Sequence, residues 1–310
     1  MTQVLALTGG VGGAKLAVGL AANLGAEELS VVANTGDDFE HLGLHIAPDL
    51  DSVMYALAGL NDSDRGWGVK GESWQAMSAL EQLQGETWFR LGDKDLATHL
   101  QRSQLLRDGL SLSEATAKLC EALGIPHPLI PMSDQPVRTQ ILTEQGELAF
   151  QHYFVREQCE PSVLGFRFEG IEQAKPSAKL MASLQNPELS VIIICPSNPF
   201  VSVDPILKLP GVLSALQKSS APIIAVSPIV GGLAIKGPAG KMMKELNMPT
   251  SAAAVAAYYG DLLDGFVLDN TDSEQCDRIS VPCLVTDTIM TDNSKKSQLA
   301  QDCLRFAASL

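Results

Sequence analysis

The sequence predicts a doubly wound α/β fold, a mostly parallel Rossmann-like sheet with a small antiparallel β insertion, on three observations. Six short runs are apolar, all but one without interruption: Val4 to Leu7, Leu29 to Ala33 (broken only by Ser30), Val191 to Cys195, Ile223 to Val226, Phe266 to Leu268 and Cys283 to Val285. Runs of that kind suit strands covered on both faces, as parallel strands flanked by helices are. Helix-like segments stand between most of them, which is the βαβ alternation. The first run also enters Gly9-Gly10-Val11-Gly12-Gly13 and then a helix. Glycines let backbone amides approach an anion, and the helix turns its positive dipole end to the same spot.

Along the chain, helices are expected at Gly13 to Leu24, Asp51 to Ala58, Ser73 to Leu83, Asp95 to Asp108 and Ser111 to Leu123. Others follow at Pro205 to Gln217, Gly240 to Leu246, Ser251 to Tyr259 and Ser297 to Ala308. Ser111 with Glu114 has capping-box spacing. Residues 138–168 break the alternation, with a strand, the turn Glu144-Gln145-Gly146, a second strand and a third at Leu164 to Phe168. That pattern is an antiparallel insertion in an otherwise single domain spanning 1–310.

Twenty-two basic residues against 36 acidic ones give a formal charge of -14 over 310 residues. Such a surface repels nucleic acid and anionic lipid, so neither is expected as a partner. A phosphorylated ligand would need local compensation, for which a divalent cation serves. The six cysteines form no CxxC pair and several lie in apolar runs, the pattern of free thiols in a reducing cytoplasm. No basic segment precedes an apolar stretch at the N-terminus, and no apolar run reaches the roughly twenty residues of a membrane span. The expectation is a soluble cytoplasmic protein. The insertion and the helix Gly240 to Leu246 are candidate faces for a homodimer.

The glycine loop departs from both standard nucleotide fingerprints. Lys15 stands where the dinucleotide pattern wants a third glycine, and Asn34 where it wants a ribose-binding acid. The P-loop pattern fails too, because Ala14 and Leu16 flank Lys15. Asn34-Thr35-Gly36-Asp37-Asp38 follows the second strand at the edge where such sheets bind ligands. Two adjacent carboxylates there repel each other unless a cation relieves them. In Pro48-Asp49-Leu50-Asp51, Asp49 reads equally as a helix N-cap or a metal ligand, and Asp51 ranks above it as a ligand because one cap needs one carboxylate. His41 and His45 have the spacing of a helical zinc pair, but Gly43 lies between them and no third nitrogen ligand is near; they are expected to line a loop.

In Leu91-Gly92-Asp93-Lys94-Asp95, Asp95 is a candidate N-cap, and Lys94 is either a surface lysine or a contact for a phosphate or ring carbonyl. Pro196-Ser197-Asn198-Pro199 and Ser227-Pro228-Ile229 each follow a core strand and place hydroxyl and amide groups at the ligand edge. Lys236 and Lys241 are further cations, either solvated or turned to phosphate. No Gly-x-Ser-x-Gly elbow and no Cys-His arrangement points to a covalent nucleophile.

Taken together, these motifs resemble the 2-phospho-L-lactate transferase family of deazaflavin coenzyme (coenzyme F-420) biosynthesis. Gly9-Gly-Val-Gly-Gly-Ala-Lys15, Asn34-Thr-Gly-Asp-Asp38, Pro48-Asp-Leu-Asp51, Leu91-Gly-Asp-Lys-Asp-Leu-Ala-Thr-His99, Pro196-Ser-Asn-Pro199 and Ser227-Pro-Ile229 carry the resemblance. Asp64-Arg65-Gly66-Trp67-Gly68 and Pro131-Met132-Ser133-Asp134 extend it over essentially the whole chain. The resemblance implies a Mg²⁺-dependent transferase. It would move a phospholactyl, or in bacterial relatives a phosphoenolpyruvyl, group from a guanylyl diphosphate donor to the ribityl hydroxyl of the deazaflavin FO, releasing GMP.

On that reading Mg²⁺ belongs to Asp51 with Asp37 or Asp49, and catalysis to Asp51 and Asp37. Gly9, Gly10, Gly12, Gly13, Lys15, Asn34, Thr35, Ser197 and Asn198 fall to the nucleotide, and Asp51, Lys94 and His99 to the deazaflavin. Some relatives have Arg at the position of Lys94, so the charge is kept and the planar fork lost. The competing resemblance is to a sister group of non-enzymatic nucleotide-sugar-binding regulators of gluconeogenesis and cell shape. Those typically lack the Gly-Asp-Lys-Asp-Leu-Ala-Thr-His stretch and continue the Asp-Asp pair with glycine and serine, where this chain has Phe39-Glu40-His41.

Overall fold

A computed structural model describes residues 3–62 and 64–310. In chain order the first half contains β1 (Gln3–Thr8), α1 (Gly10–Ala21), β2 (Leu29–Ala33), β3 (Phe39–His41), β4 (Leu44–Ile46), α2 (Pro48–Leu57), α3 (Gln75–Gln82), α4 (Asp93–Arg107), α5 (Leu112–Ala122) and β5 (Leu129–Pro131). There follow β6 (Arg138–Thr143), β7 (Gly146–Ala149), β8 (Val163–Glu169), α6 (Ala178–Leu184), β9 (Leu189–Ile194), α7 (Asp204–Leu207), α8 (Val212–Lys218) and β10 (Ile223–Val226). The chain closes with β11 (Ile229–Val230), β12 (Leu233–Ala234), α9 (Ala239–Glu245), α10 (Ala252–Tyr259), β13 (Gly265–Asp269), β14 (Cys283–Thr286) and α11 (Asn293–Ala307).

Seven strands form one parallel sheet in the order β14-β13-β10-β9-β1-β2-β5. Successive side chains of a strand point to opposite faces, and the core divides accordingly. Leu5, Leu7, Ile192 and Ile194 pack on the face covered by α6 to α10 and the insertion. Val4, Ala6, Val191 and Ile193 pack on the other face, under α1, α2, α5 and α11. Both sets are buried, which is why these strands read as unbroken apolar runs.

All six expected core strands are in this sheet. The seventh, β5, is a three-residue edge strand next to Pro128 and ending at Pro131, and that composition hid it. The expected helix Pro205 to Gln217 is broken: α7 and α8 are separate, and Gly211 between them has φ 87°. Helix α1 begins at Gly10 instead of Gly13, so the glycine loop is largely the first turn of the helix. The insertion forms the antiparallel sheet β7-β6-β8, with a π-helical turn at His152–Arg156 between β7 and β8.

The strand order reverses at the β1–β9 pair, where the chain winds outward in both directions. In open α/β sheets such a switch point leaves a crevice beyond the carboxyl ends of the strands. Among the described residues no single helix is long and apolar enough to cross a membrane. One bent pair, Pro199–Leu207 with Val212–Lys218, passes that test jointly but turns by 80°, and its Phe200, Val203, Ile206 and Val212 lie in the core.

Candidate active site

A cleft of about 800 Å³ opens at this switch point. The segments after β1, β9 and β10 form its floor, through Gly9 to Gly12, Pro196 to Asn198, and Ser227 with Pro228. At the phosphate-like end the glycines do two jobs. A Cβ on Gly12 would stand 2.2 Å from the Pro196 carbonyl oxygen, and one on Gly13 would stand 1.8 Å from Thr8 Oγ1. Both are therefore demanded by packing of α1 on the strand ends. Gly13 is buried and is not part of the cleft wall. The Gly9 amide donates to Ser197 Oγ at 3.2 Å, and the Gly10 amide faces Asp49. Of the first α1 residues this leaves Val11 and Gly12 to present free amide groups at the cleft.

The acids form two groups. Asn34 is fully buried; its Nδ2 donates to Asp49 Oδ2 at 2.9 Å and its Oδ1 accepts from Gly36 N. It is a strut for Asp49 and, like the buried Thr35, lies outside the cleft wall. Asp37 and Asp49 both line the cleft. Burial drives the Asp37 carboxyl well above its ordinary range, with the neighbouring Asp49 adding to the rise. Burial likewise lifts Asp49 to about 6, against the opposing help of Asn34 and the Gly10 amide. Asp37 Oδ1 is buried with no hydrogen-bond partner. Asp38, beside them, turns away to His45 Nε2 at 3.0 Å.

The second group lies between α2 and α4. Neither Asp49 nor Asp51 caps α2: the N-cap is Ala47 and Pro48 is the first helical residue, so both carboxylates are free for tertiary partners. Asp51 is gripped by the guanidinium fork of Arg102, NH1 at 3.0 Å to Oδ2 and NH2 in close contact with Oδ1. Arg102 is 1% exposed. Although burial opposes its charge, Asp51 more than offsets that and holds the guanidinium above its ordinary value. Arg102 NH1 also lies 3.3 Å from His99 Nδ1. A guanidinium can only donate, so Nδ1 accepts in this contact, while Nε2 lies 3.2 Å from Asp95 Oδ1 without making a hydrogen bond.

Asp95 is the third residue of α4, whose N-cap is Gly92, so it is no cap either. Its Oδ1 accepts from Tyr55 Oη at 2.7 Å. Burial alone would raise Asp95, but His99, Tyr55 and Arg102 outweigh it and hold the carboxyl below its ordinary range. Ligand atoms of Asp51, Asp95 and His99 all lie within 4.8 Å of one another, an arrangement able to hold a metal ion. The expected trio of Asp37, Asp49 and Asp51 is not gathered in this way; the structure divides it between the two groups.

Sequence reasoning passed over Arg102 and Tyr55. A signal existed: Asp95, His99 and Arg102 stand at i, i+4 and i+7, one face of α4. Tyr55 likewise follows Asp51 by one helical turn. Lys94, in contrast, is exposed, donates to the Lys70 carbonyl at 2.9 Å and stands outside the cleft wall, because its position on α4 points it away from the Asp95 face. Lys241 is engaged by Glu245 and the Pro161 carbonyl. His41 and His45 occupy a β-hairpin, not a helix, and His41 packs among Phe39, Trp88 and Phe89.

The remaining wall is aromatic and basic. Trp88, Phe89, Phe150 and Phe154 face the cleft beyond Asp95 and His99, with Phe150 and Phe154 stacked at 5.6 Å. Arg65 and Trp67 close one side. Lys15 and Lys236 stand at the glycine-loop side, where Asn198 also lines the wall while its Oδ1 accepts from Phe200 N. All six cysteines are free.

The family model described as 2-phospho-L-lactate transferase CofD matches residues 4–299. The chain is 38% identical over 301 residues to a 2-phospho-L-lactate transferase of Methanosarcina mazei, covering 96% of this chain and 98% of that protein. It is also 38% identical over 315 residues to a phosphoenolpyruvate transferase of Kitasatospora aureofaciens, covering 98% of each. A solved UPF0052-family structure from Bacillus halodurans superposes with a TM-score of 0.64 at 14% identity, over 97% of this chain and 99% of the other, and shares the fold.

Proposed function

The chain belongs to the CofD family of 2-phospho-L-lactate transferases, and from that premise we propose that it transfers a phospholactyl or phosphoenolpyruvyl group from a guanylyl diphosphate donor to the ribityl hydroxyl of the deazaflavin FO, releasing GMP in the cytoplasm. The observation that carries this reading is the polarity of the cleft. Part of its lining has free helix N-terminal amides and an acid pair without a cation; another part has an aromatic wall and an Asp51–Asp95–His99 network into which the Arg102 cation is built. A diphosphate suits the first part and a flat, apolar ring system with a polar tail suits the second.

Mg²⁺ fits at Asp37 and Asp49. Their carboxyls resist ionisation for want of a positive partner, and Asp37 Oδ1 is an orphaned acceptor. An ion bound there would neutralise charge on the diphosphate. Asp51 needs no ion to the same degree, since Arg102 already balances it.

The chain's own residues then do the positioning. The amides of Val11 and Gly12, with Lys15 and the Ser197-Asn198 loop, hold the nucleotide phosphates. The aromatic wall holds the deazaflavin so that its ribityl tail lies towards Asp51 and His99. Asp51, locked by Arg102, accepts a hydrogen bond from the attacking hydroxyl and aims its oxygen at phosphorus. As the new oxygen–phosphorus bond forms, the bond from that phosphorus to the GMP oxygen breaks, GMP leaves with that electron pair, and the hydroxyl proton passes to Asp51 and from there to water. Phosphoryl-type transfer asks for alignment and charge neutralisation more than for a strong base, which suits an Asp held by an arginine.

Incubating the protein with FO, Mg²⁺ and each synthetic donor, then reading products by mass spectrometry, tests this. The expected result is a phosphodiester of FO together with GMP, dependent on Mg²⁺. Tight binding of a UDP-sugar, with neither GMP release nor GDP binding, would assign the protein to the regulator class instead.

A further inference from the structure

Lys15 and Lys236 both reach the cleft, and in a chain of formal charge -14 neither has a carboxylate partner among the described residues, whereas Lys208, Lys241 and Lys295 do. Lys15 is fixed: it rides on α1 and donates to the Met290 carbonyl at 3.0 Å. Burial lowers its affinity for a proton, and the nearby Lys236 and Lys296 lower it further, so an anion is the missing neighbour. Lys236 is carried on an exposed turn that ends at Gly237, where φ is 75°.

Lys236 also touches the opposite side of the cleft. Its ammonium lies so close over Gly66, itself at φ 84°, that a Cβ there would stand 1.9 Å from Nζ. Gly66 sits between Arg65 and Trp67, and the Arg65 guanidinium lies over the Trp67 and Trp74 rings at 5.3 and 5.0 Å. One cation thus bridges the anion end of the cleft and the loop that walls its aromatic side.

Resting on the proposed function, we infer that Lys236 couples the two substrate sites: a diphosphate held between Lys15 and Lys236 pins the Lys236 turn against Gly66 and steadies the Arg65–Trp67 wall, so that nucleotide binding raises affinity for the acceptor. The coupling is reciprocal, because each ligand must favour the same arrangement of the turn.

The test is calorimetric titration of FO into the protein with and without saturating GDP and Mg²⁺, for wild type, Lys236→Met and Lys236→Arg. Methionine keeps much of the apolar stem and removes the charge, and the site is exposed, so the fold is retained; circular dichroism checks this. The expected result is FO affinity raised on the order of tenfold by GDP in wild type. In Lys236→Met that ratio falls to near one, and in Lys236→Arg most of it survives. A ratio near one in wild type that binds both ligands, or an unchanged ratio in Lys236→Met, would overturn the coupling and leave the transferase reading standing. Wild type that binds neither ligand would overturn both.

Discussion

Two carboxylate groups share one cleft and are treated by the fold in opposite ways. Asp51 sits in the fork of a buried arginine, with His99 and the Tyr55-bonded Asp95 completing the set. Asp37 and Asp49 are equally buried, yet their polar helpers are the neutral side chains of Asn34 and Thr139 and a backbone amide. The first group is finished in that a cation is built into it, although His99 Nε2 and Arg102 Nε make no hydrogen bond; the second has no cation and costs folding free energy as it stands. Residue type does not distinguish them, since each group is built on Asp residues and Asp49 and Asp51 share the first turn of α2. What distinguishes them is whether a cation is built in, and the group lacking one is where an external cation belongs.

The largest expected effect is on the finished group. Asp51→Asn leaves the Arg102 charge buried against a neutral amide, and thermal or urea unfolding should show a loss of about 3–5 kcal/mol, together with loss of turnover. An unchanged stability would mean that Arg102 finds another partner and that the two groups are less different than their geometry says. The unfinished group should respond with the opposite sign. Asp37→Asn removes a buried acceptor charge that has only the neutral side chains of Asn34 and Thr139 to help it and no cation, so the metal-free protein should gain about 1 kcal/mol while losing Mg²⁺-dependent activity. Destabilisation by this substitution would contradict the imbalance.

A smaller effect follows from protons. Asp49 has a folded-state value of about 6 against an ordinary 3.8, so the folded protein binds a proton more tightly than the unfolded chain. Its contribution to stability is therefore greatest towards pH 4 and is lost as the pH rises through 6. The melting temperature of metal-free protein should rise between pH 7.5 and 5.5. Saturating Mg²⁺ should flatten that slope by stabilising the ionised carboxylates, and a slope that persists unchanged would place the ion elsewhere. The smallest effect belongs to Lys94, which lies outside the cleft: Lys94→Ala should change KM for either substrate by less than about twofold, within the usual range of a surface substitution.

Much of this was legible in the residues. The six central strands were readable because burial on both faces forces unbroken apolar runs such as Val191 to Ile194. The glycine loop, the Asp37 and Asp49 segments and Ser197 were readable because strand ends at a switch point are where polar residues have few structural reasons to cluster. Arg102 was passed over although it shares a face of α4 with Asp95 and His99, because a basic residue on a helix without a clear apolar stripe looks solvated until a tertiary partner covers it. The contrast between Asp49 and Asp51 also escaped, since both fall in the first turn of α2 and only the packing of α4 against that turn gives one of them an arginine. Lys94 stands outside the cleft wall for a related reason: a motif fixes which residues are near in sequence, while the 100° step of the helix decides which of them face the cleft.

The most direct measurement is binding of Mn²⁺, as a paramagnetic substitute for Mg²⁺, followed by electron paramagnetic resonance in the absence of nucleotide for wild type, Asp37→Asn and Asp95→Asn. The expected result is one bound ion in wild type and in Asp95→Asn, with binding lost in Asp37→Asn. Loss in Asp95→Asn with retention in Asp37→Asn would place the ion in the Asp51–Asp95–His99 group and contradict the division of the cleft into a finished and an unfinished set of charges.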